Sequence, residues 1–244
     1  MNLVVIVETL RRHLTSVAFI VFVILNALIA AASAKFGGTT AAWQALIGLL
    51  TLILGSQLVA PEFSSGTLQL ILAKPVNRCA YLLSRVIGVT LAIWTALAIC
   101  TIVDVTVRLL SHPGADRTAL WAGPLNRALA ALLACSLLAL IGSVTRSYLH
   151  VAIYLVAEIG LSVTIGLVTM FTQAHGSFGG LGIFFEDHPA VLKGLHQADW
   201  NLFPDPPMGS VDRTWILMVL SNAAIALLAA CLLFRNREVP YGAD

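Results

Sequence analysis

An apolar run and the polar insert that ends it decide how this chain folds. Residues 43–60 read WQALIGLLTLILGSQLVA, and residues 61–78 read PEFSSGTLQLILAKPVNR. The first stretch has no charged residue and approaches the roughly 20 apolar residues that a helix needs to cross a bilayer. The second contains Glu62, Lys74 and Arg78, which a membrane chain keeps where it meets water. The two stretches together predict a membrane span followed by a segment at the membrane surface.

The composition of the whole chain is that of an integral membrane protein. Of its 244 residues, 59% are hydrophobic and 11% are charged, whereas soluble domains carry about 25% charged residues. The formal net charge of +2 is too small to predict binding to nucleic acid. Neither the scattered cysteines nor the histidines and aspartates of residues 173–213 fit a zinc template. The sequence therefore predicts neither a metal site nor a disulfide framework.

The apolar runs predict an all-α membrane protein with one transmembrane domain over residues 1–244. Spanning helices are favoured because lipid leaves no backbone donor or acceptor unpaired. The six predicted spans are approximately 14–34, 43–60, 86–107, 125–145, 149–172 and 214–234.

The first thirteen residues are too short and too polar to span the membrane. They contain Glu8, Arg11 and Arg12, and Glu8 precedes Arg12 by one helical turn, the favourable order for a helical ion pair. This pattern predicts an amphipathic helix on the inner surface. The alternative is a frayed flank whose two arginines only set the topology.

The predicted orientation places both termini in the cytoplasm, in the inner or plasma membrane. Lys and Arg are slightly more frequent in the flanks on that side, as the positive-inside rule expects. Four tryptophans fall at the predicted outer interface: Trp43, Trp121, Trp200 and Trp215. A cleaved signal peptide is disfavoured because the run 14–34 exceeds the usual apolar core of about 7–15 residues.

The polar insert has the signals of a helix enclosed by two breaks. Pro61 ends the second span, because proline lacks the N–H that a continuing helix needs. Gly66 permits a bend, and residues 67–73 form a short apolar helix that ends before Pro75. Asn77 can cap the next helix. We expect helix, break and helix at the inner surface.

The order of residues in the insert also matches a known pattern: Glu, then Gly-Thr-Leu, a leucine-rich turn, Pro-Val, one residue, and Arg. The matching positions are Glu62, Gly66, Thr67, Leu68, Leu72, Pro75, Val76 and Arg78. In this stretch, and in its pattern of spans, the chain resembles the permeases of ABC-2-type transporters.

The resemblance implies a half-transporter, most often an exporter. Two permease subunits, identical or different, form the translocation path, and two ATP-hydrolysing subunits dock at the inner face. The insert would be the coupling helix that enters a groove of the ATPase. Five residues would hold the segment in shape: Glu62, Gly66, Thr67, Pro75 and Arg78. Two more would help to fix it in the groove: Leu68 and Leu72.

The chain carries no ATP-binding motif of its own. No stretch fits GxxxxGK[ST], and none of its lysines is followed by Ser or Thr. No zinc-protease HExxH or GxSxG esterase motif is present either. We therefore expect a non-catalytic subunit without a cofactor, with ATP and magnesium on the partner ATPase.

Three charged residues within the predicted spans suggest an alternative function. Asp104, Arg127 and Glu158 are costly in lipid and are therefore functional candidates. An ion- or proton-coupled secondary transporter would use Asp104 and Glu158. The favoured explanation is a local pair of Asp104 with Arg108, and packing or cavity lining by Glu158, which Arg127 of the fourth span can approach. The broken spans expected of such carriers are not evident in the sequence.

Overall fold

The computed structural model describes residues 2–37, 40–58, 77–111, 117–145, 149–173 and 212–236. Regular structure in these ranges is helical, which confirms the all-α prediction. The helices are α1 (Leu3–Leu14), α2 (Val17–Lys35), α3 (Ala41–Gly55), α4 (Arg78–Ser111), α5 (Arg117–Val144), α6 (Leu149–Gln173) and α7 (Arg213–Asn236). The chain divides into two compact units, residues 1–151 with 206–244 and residues 152–205.

Four of the described helices are long and apolar enough to cross a membrane. They are Val17–Lys35, Arg78–Ser111, Trp121–Val144 and Arg213–Arg235, and they correspond to the predicted first, third, fourth and sixth spans. The apolar stretches Trp43–Gly55 of α3 and Leu149–Ile165 of α6 are shorter. The second span, predicted to residue 60, and the fifth therefore remain predictions.

Two helices begin earlier than their predicted spans. The Asn77 side-chain oxygen accepts a hydrogen bond from the Cys79 N–H at 3.0 Å, so the predicted cap is present and α4 begins at Arg78 instead of residue 86. Helix α5 begins at Arg117 instead of residue 125 and includes Pro124, which removes one backbone donor without ending the helix. With 34 residues, α4 is about 51 Å long, more than the roughly 30 Å hydrocarbon core requires.

Close contacts fix the relative directions of the helices in the first unit. A Cβ at Gly123 would lie 2.9 Å from Gln44 Nε2, and a Cβ at Gly55 would meet the Leu138 side chain. Helices α3 and α5 therefore run side by side in the same direction. The Cys79 thiol, near the start of α4, donates to the Cys231 carbonyl, near the end of α7, at 3.4 Å.

Small residues allow the spans to approach one another, as in other membrane bundles. The buried face of α2 consists of Phe19, Val23, Asn26, Ala30 and Ala34 and packs on α4. Another buried cluster joins α5 to α7 and contains Leu133, Trp215, Val219 and Ala223. Apolar side chains on the outer faces of α2 and α7 remain exposed, as lipid contact requires.

Helix α1 packs closely on the first turns of α4. A Cβ at Gly88 would lie 2.8 Å from Thr9 Cβ and 3.2 Å from the Ile6 carbonyl oxygen. Real Cβ atoms do not approach other atoms so closely, so a larger residue at position 88 would push the α1 backbone away.

We expect Gly88→Ala to weaken the docking of α1 by about 1–3 kcal/mol, the usual cost of overpacking. The measurement is thermal unfolding of the purified protein, together with amide exchange over α1. Gly48→Ala is the matched control, because a Cβ at Gly48 meets no atom within 4 Å and alanine favours a helix. Equal stability of the two variants would contradict this account of the contact.

Candidate functional site

The structure describes the chain at both ends of the polar insert, which we call its roots: Gln57 and Leu58 form the first root, and Asn77 and Arg78 form the second. Among the residues predicted to shape or seat the coupling helix, Arg78 is the first residue of α4. The others lie outside the described residues: Glu62, Gly66, Thr67, Leu68, Leu72 and Pro75. The described chain reaches Leu58 before the insert and resumes at Asn77 after it.

At the first root, the buried Arg85 side chain of α4 contacts both the end of α3 and α1. Arg85 of α4 is 6% exposed. Its Nη2 donates to the Gln57 carbonyl at 2.9 Å and its Nε to the Leu58 carbonyl at 3.4 Å. Its Nη1 donates to the Thr9 hydroxyl of α1 at 3.1 Å. The planar fork of the guanidinium thus reaches backbone on one side and α1 on the other.

The sequence explains why backbone carbonyls are open to Arg85 here. After α3 ends at Gly55, the Gln57 and Leu58 N–H groups bond back to Leu54 and Gly55 at 3.0 and 3.2 Å. In a continuing helix the Gln57 carbonyl would accept from residue 61, but Pro61 has no N–H. Arg85 supplies a donor, and its charge also suits the negative end of a helix.

We call the place where the end of α3 and α1 meet α4 at Arg85 the junction. The N-terminal helix α1 makes further hydrogen bonds there. The Asn2 N–H donates to the Ser84 hydroxyl at 2.9 Å, and the Asn2 side chain caps α1 by accepting from the Val4 N–H at 3.1 Å. The predicted helix is therefore present, although its position along a membrane surface stays a prediction. The side of α1 away from the junction exposes Glu8, Arg11 and Arg12.

His13 is a buried titratable residue beside this junction. It is 4% exposed, and among the described residues its Nε2 has no hydrogen-bond partner. Burial, and then the charges of Arg85 and Arg12, lower its pKa from 6.5 to about 4. The packed helix therefore holds the neutral imidazole.

This lowered pKa predicts that the first unit loses stability as the pH falls from about 6.5 to about 4. Over that range His13 takes up a proton in the unfolded chain but not in the packed helix. Above pH ~6.5 the imidazole is neutral in both states. We expect a loss of about 1–2 kcal/mol, measured as thermal unfolding against pH. His13→Gln should remove this part of the pH dependence. An unchanged pH profile in that variant would assign the dependence to other groups.

The three charged residues singled out within the predicted spans lie on three different helices. Asp104 is 2% exposed and accepts from Arg108 Nε at 3.0 Å, so the predicted local pair is confirmed. Arg127 lies on α5 of the first unit, and the half-buried Glu158 lies on α6 in the second. Their predicted approach to each other stays a prediction. Across the described ranges, no three His, Cys, Asp or Glu side chains are grouped as a metal site requires.

Sequence reasoning missed Arg85 as a site residue and treated it as one of several inner cations. Its partners are mainly backbone carbonyls, which have no sequence signature of their own. The available signal was Pro61, because a proline four residues after Gln57 leaves that carbonyl without its helical donor. That spacing indicates that another donor is needed near the end of α3, but it does not identify Arg85 as the residue that supplies it.

Apolar helices long enough to cross a bilayer, packed through small residues, define a multi-pass helical membrane protein. The sequence pattern of the family described as ABC-2 family transporter protein matches residues 15–203. Because the match covers more than half of the chain, the protein belongs to the ABC-2 family of transporters, and the predicted resemblance is confirmed. No curated protein matches the sequence significantly. The chain is thus an ABC transporter permease, a class of generally non-catalytic membrane subunits.

Proposed function

We propose that this chain is the membrane subunit of an ABC exporter that is powered by separate ATPase subunits. The observation that carries the proposal is the family match over residues 15–203, which includes the whole polar insert. Two such subunits, identical or different, form the translocation path in the inner or plasma membrane. Two ATPase subunits bind ATP and magnesium on the cytoplasmic side, and this chain needs no cofactor.

The proposed topology has six spans with both termini in the cytoplasm. It is supported by the arrangement of the first unit, in which α1, the end of α3 and the start of α4 meet at Arg85. The end of α7 lies at the same end, beside Cys79. The two terminal helices therefore lie at the end of the unit where the insert begins and ends.

In the proposed mechanism the insert is a coupling helix. Leu68 and Leu72 enter an apolar groove of the ATPase, while Glu62, Gly66, Thr67, Pro75 and Arg78 keep the segment in shape. ATP binding draws the two ATPases together and displaces the insert, and α3 and α4 move with it. ATP can drive this step only if the insert makes different contacts in the two states.

A pull-down from native membranes tests the proposal. We expect a P-loop ATPase to copurify with the chain, and Leu68→Asp with Leu72→Asp to lower its recovery more than tenfold, because a charge buried in an apolar groove costs several kcal/mol. The matched control is Leu195→Asp with Leu202→Asp, in the segment predicted on the opposite side. Purification of the wild-type chain without an ATPase would refute the proposal.

Carboxylate neutralisation separates this function from the alternative, a secondary transporter that uses Asp104 and Glu158. The alternative is disfavoured because Asp104 is already paired with Arg108. We expect Asp104→Asn and Glu158→Gln to leave ATP hydrolysis by the purified complex within about twofold, since neither residue lies at an insert root. Proton uptake into proteoliposomes without ATP, abolished by either variant, would instead establish the secondary transporter.

A further inference from the structure

We propose that Arg85 is a positioning residue that makes α1 and the root of the insert move as one body. This inference rests on the proposed function, because it concerns how movement of the insert reaches the rest of the subunit. The alternative is that Arg85 only caps α3, in which case any response of α1 to the nucleotide would pass through its other contacts with α4, at Ser84 and Gly88, and would not depend on Thr9. The two roles can be separated because the guanidinium uses different nitrogens for the two contacts.

The first step concerns the backbone at the insert root. The Gln57 and Leu58 carbonyls, on the last described residues before the insert, both accept from Arg85. Pro61 removes the helical donor for Gln57, so losing Arg85 would take from the part-buried Gln57 carbonyl the donor that replaces it. A buried guanidinium is likewise costly to separate from its acceptors. The root of the insert is therefore tied to α4 through Arg85.

The second step concerns α1. Arg85 Nη1 donates to the Thr9 hydroxyl at 3.1 Å, and hydrogen bonds to charged groups are among the stronger ones in proteins. Gly88 brings the α1 backbone against α4 one turn further along. The same guanidinium thus contacts both the insert root and α1, and it links a displacement of the insert directly to α1.

Hydrogen–deuterium exchange of the copurified complex tests this role. Exchange over α1 and over the end of α3 is compared without nucleotide and with magnesium and a non-hydrolysable ATP analogue. In the wild-type complex we expect both segments to respond. Thr9→Val removes the hydroxyl but keeps the shape, and should lower the response of α1 about tenfold, as loss of a hydrogen bond to a charge implies. The end of α3 should still respond.

The control variants make the test specific. Thr51→Val is the matched control, because the Thr51 hydroxyl is buried but bonds within its own helix, to the Ile47 carbonyl at 2.8 Å; it should leave the α1 response unchanged. Thr9→Ser keeps the hydroxyl and should preserve the response. Arg85→Gln should lower the response of α1 as well, and if that variant does not fold, Thr9→Val decides the question.

Each outcome either supports or overturns the role. A response of α3 but not of α1 in the wild-type complex would overturn it while leaving the proposed function intact. A wild-type response of α1 in Thr9→Val would also overturn it. If no ATPase copurifies with the wild-type chain, the proposed function fails, and the role of Arg85 in coupling fails with it.

Discussion

The junction depends on the hydrogen bonds between Arg85 and the backbone at the end of α3. A helix that stops near a membrane must find donors for its last carbonyls. Pro61 removes one of those donors in advance, and Arg85 Nη2 replaces it at 2.9 Å from the Gln57 oxygen. The break that separates the second predicted span from the insert is thus stabilised by a residue on the other side of the insert, in α4.

Burying that arginine also determines what surrounds it. The Thr9 hydroxyl gives Nη1 a neutral acceptor, and its approach requires the glycine at position 88. His13, beside the same guanidinium, is neutral in the packed helix because burial and the neighbouring positive charges lower its pKa to about 4. The buried Thr9 of α1 is therefore explained by its contact with Arg85, which helps to keep α1 at the junction.

The sequence predicted the elements that the lipid environment determines, and it missed those that depend on contacts with other helices. The first span was expected at 14–34 and α2 covers Val17–Lys35, because an uncharged run of that length has one stable form in a bilayer. The Asn77 cap was also readable from sequence. The start of α4 was placed too late because its first turns carry Arg78 and Arg85, which an uncharged apolar run excludes. Arg85 itself was missed because backbone acceptors leave no pattern in a sequence.

Helix α4 connects the junction to the opposite end of the first unit. It is continuous from Arg78 to Ser111 and contains no proline, so in the proposed mechanism a displacement at Arg85 would be carried along a stiff rod of about 51 Å. Near its far end Asp104 is paired with Arg108 of the same helix. The buried Arg85 of α4 is therefore accounted for by its contacts with the end of α3 and with α1, and Asp104 by its local pair with Arg108.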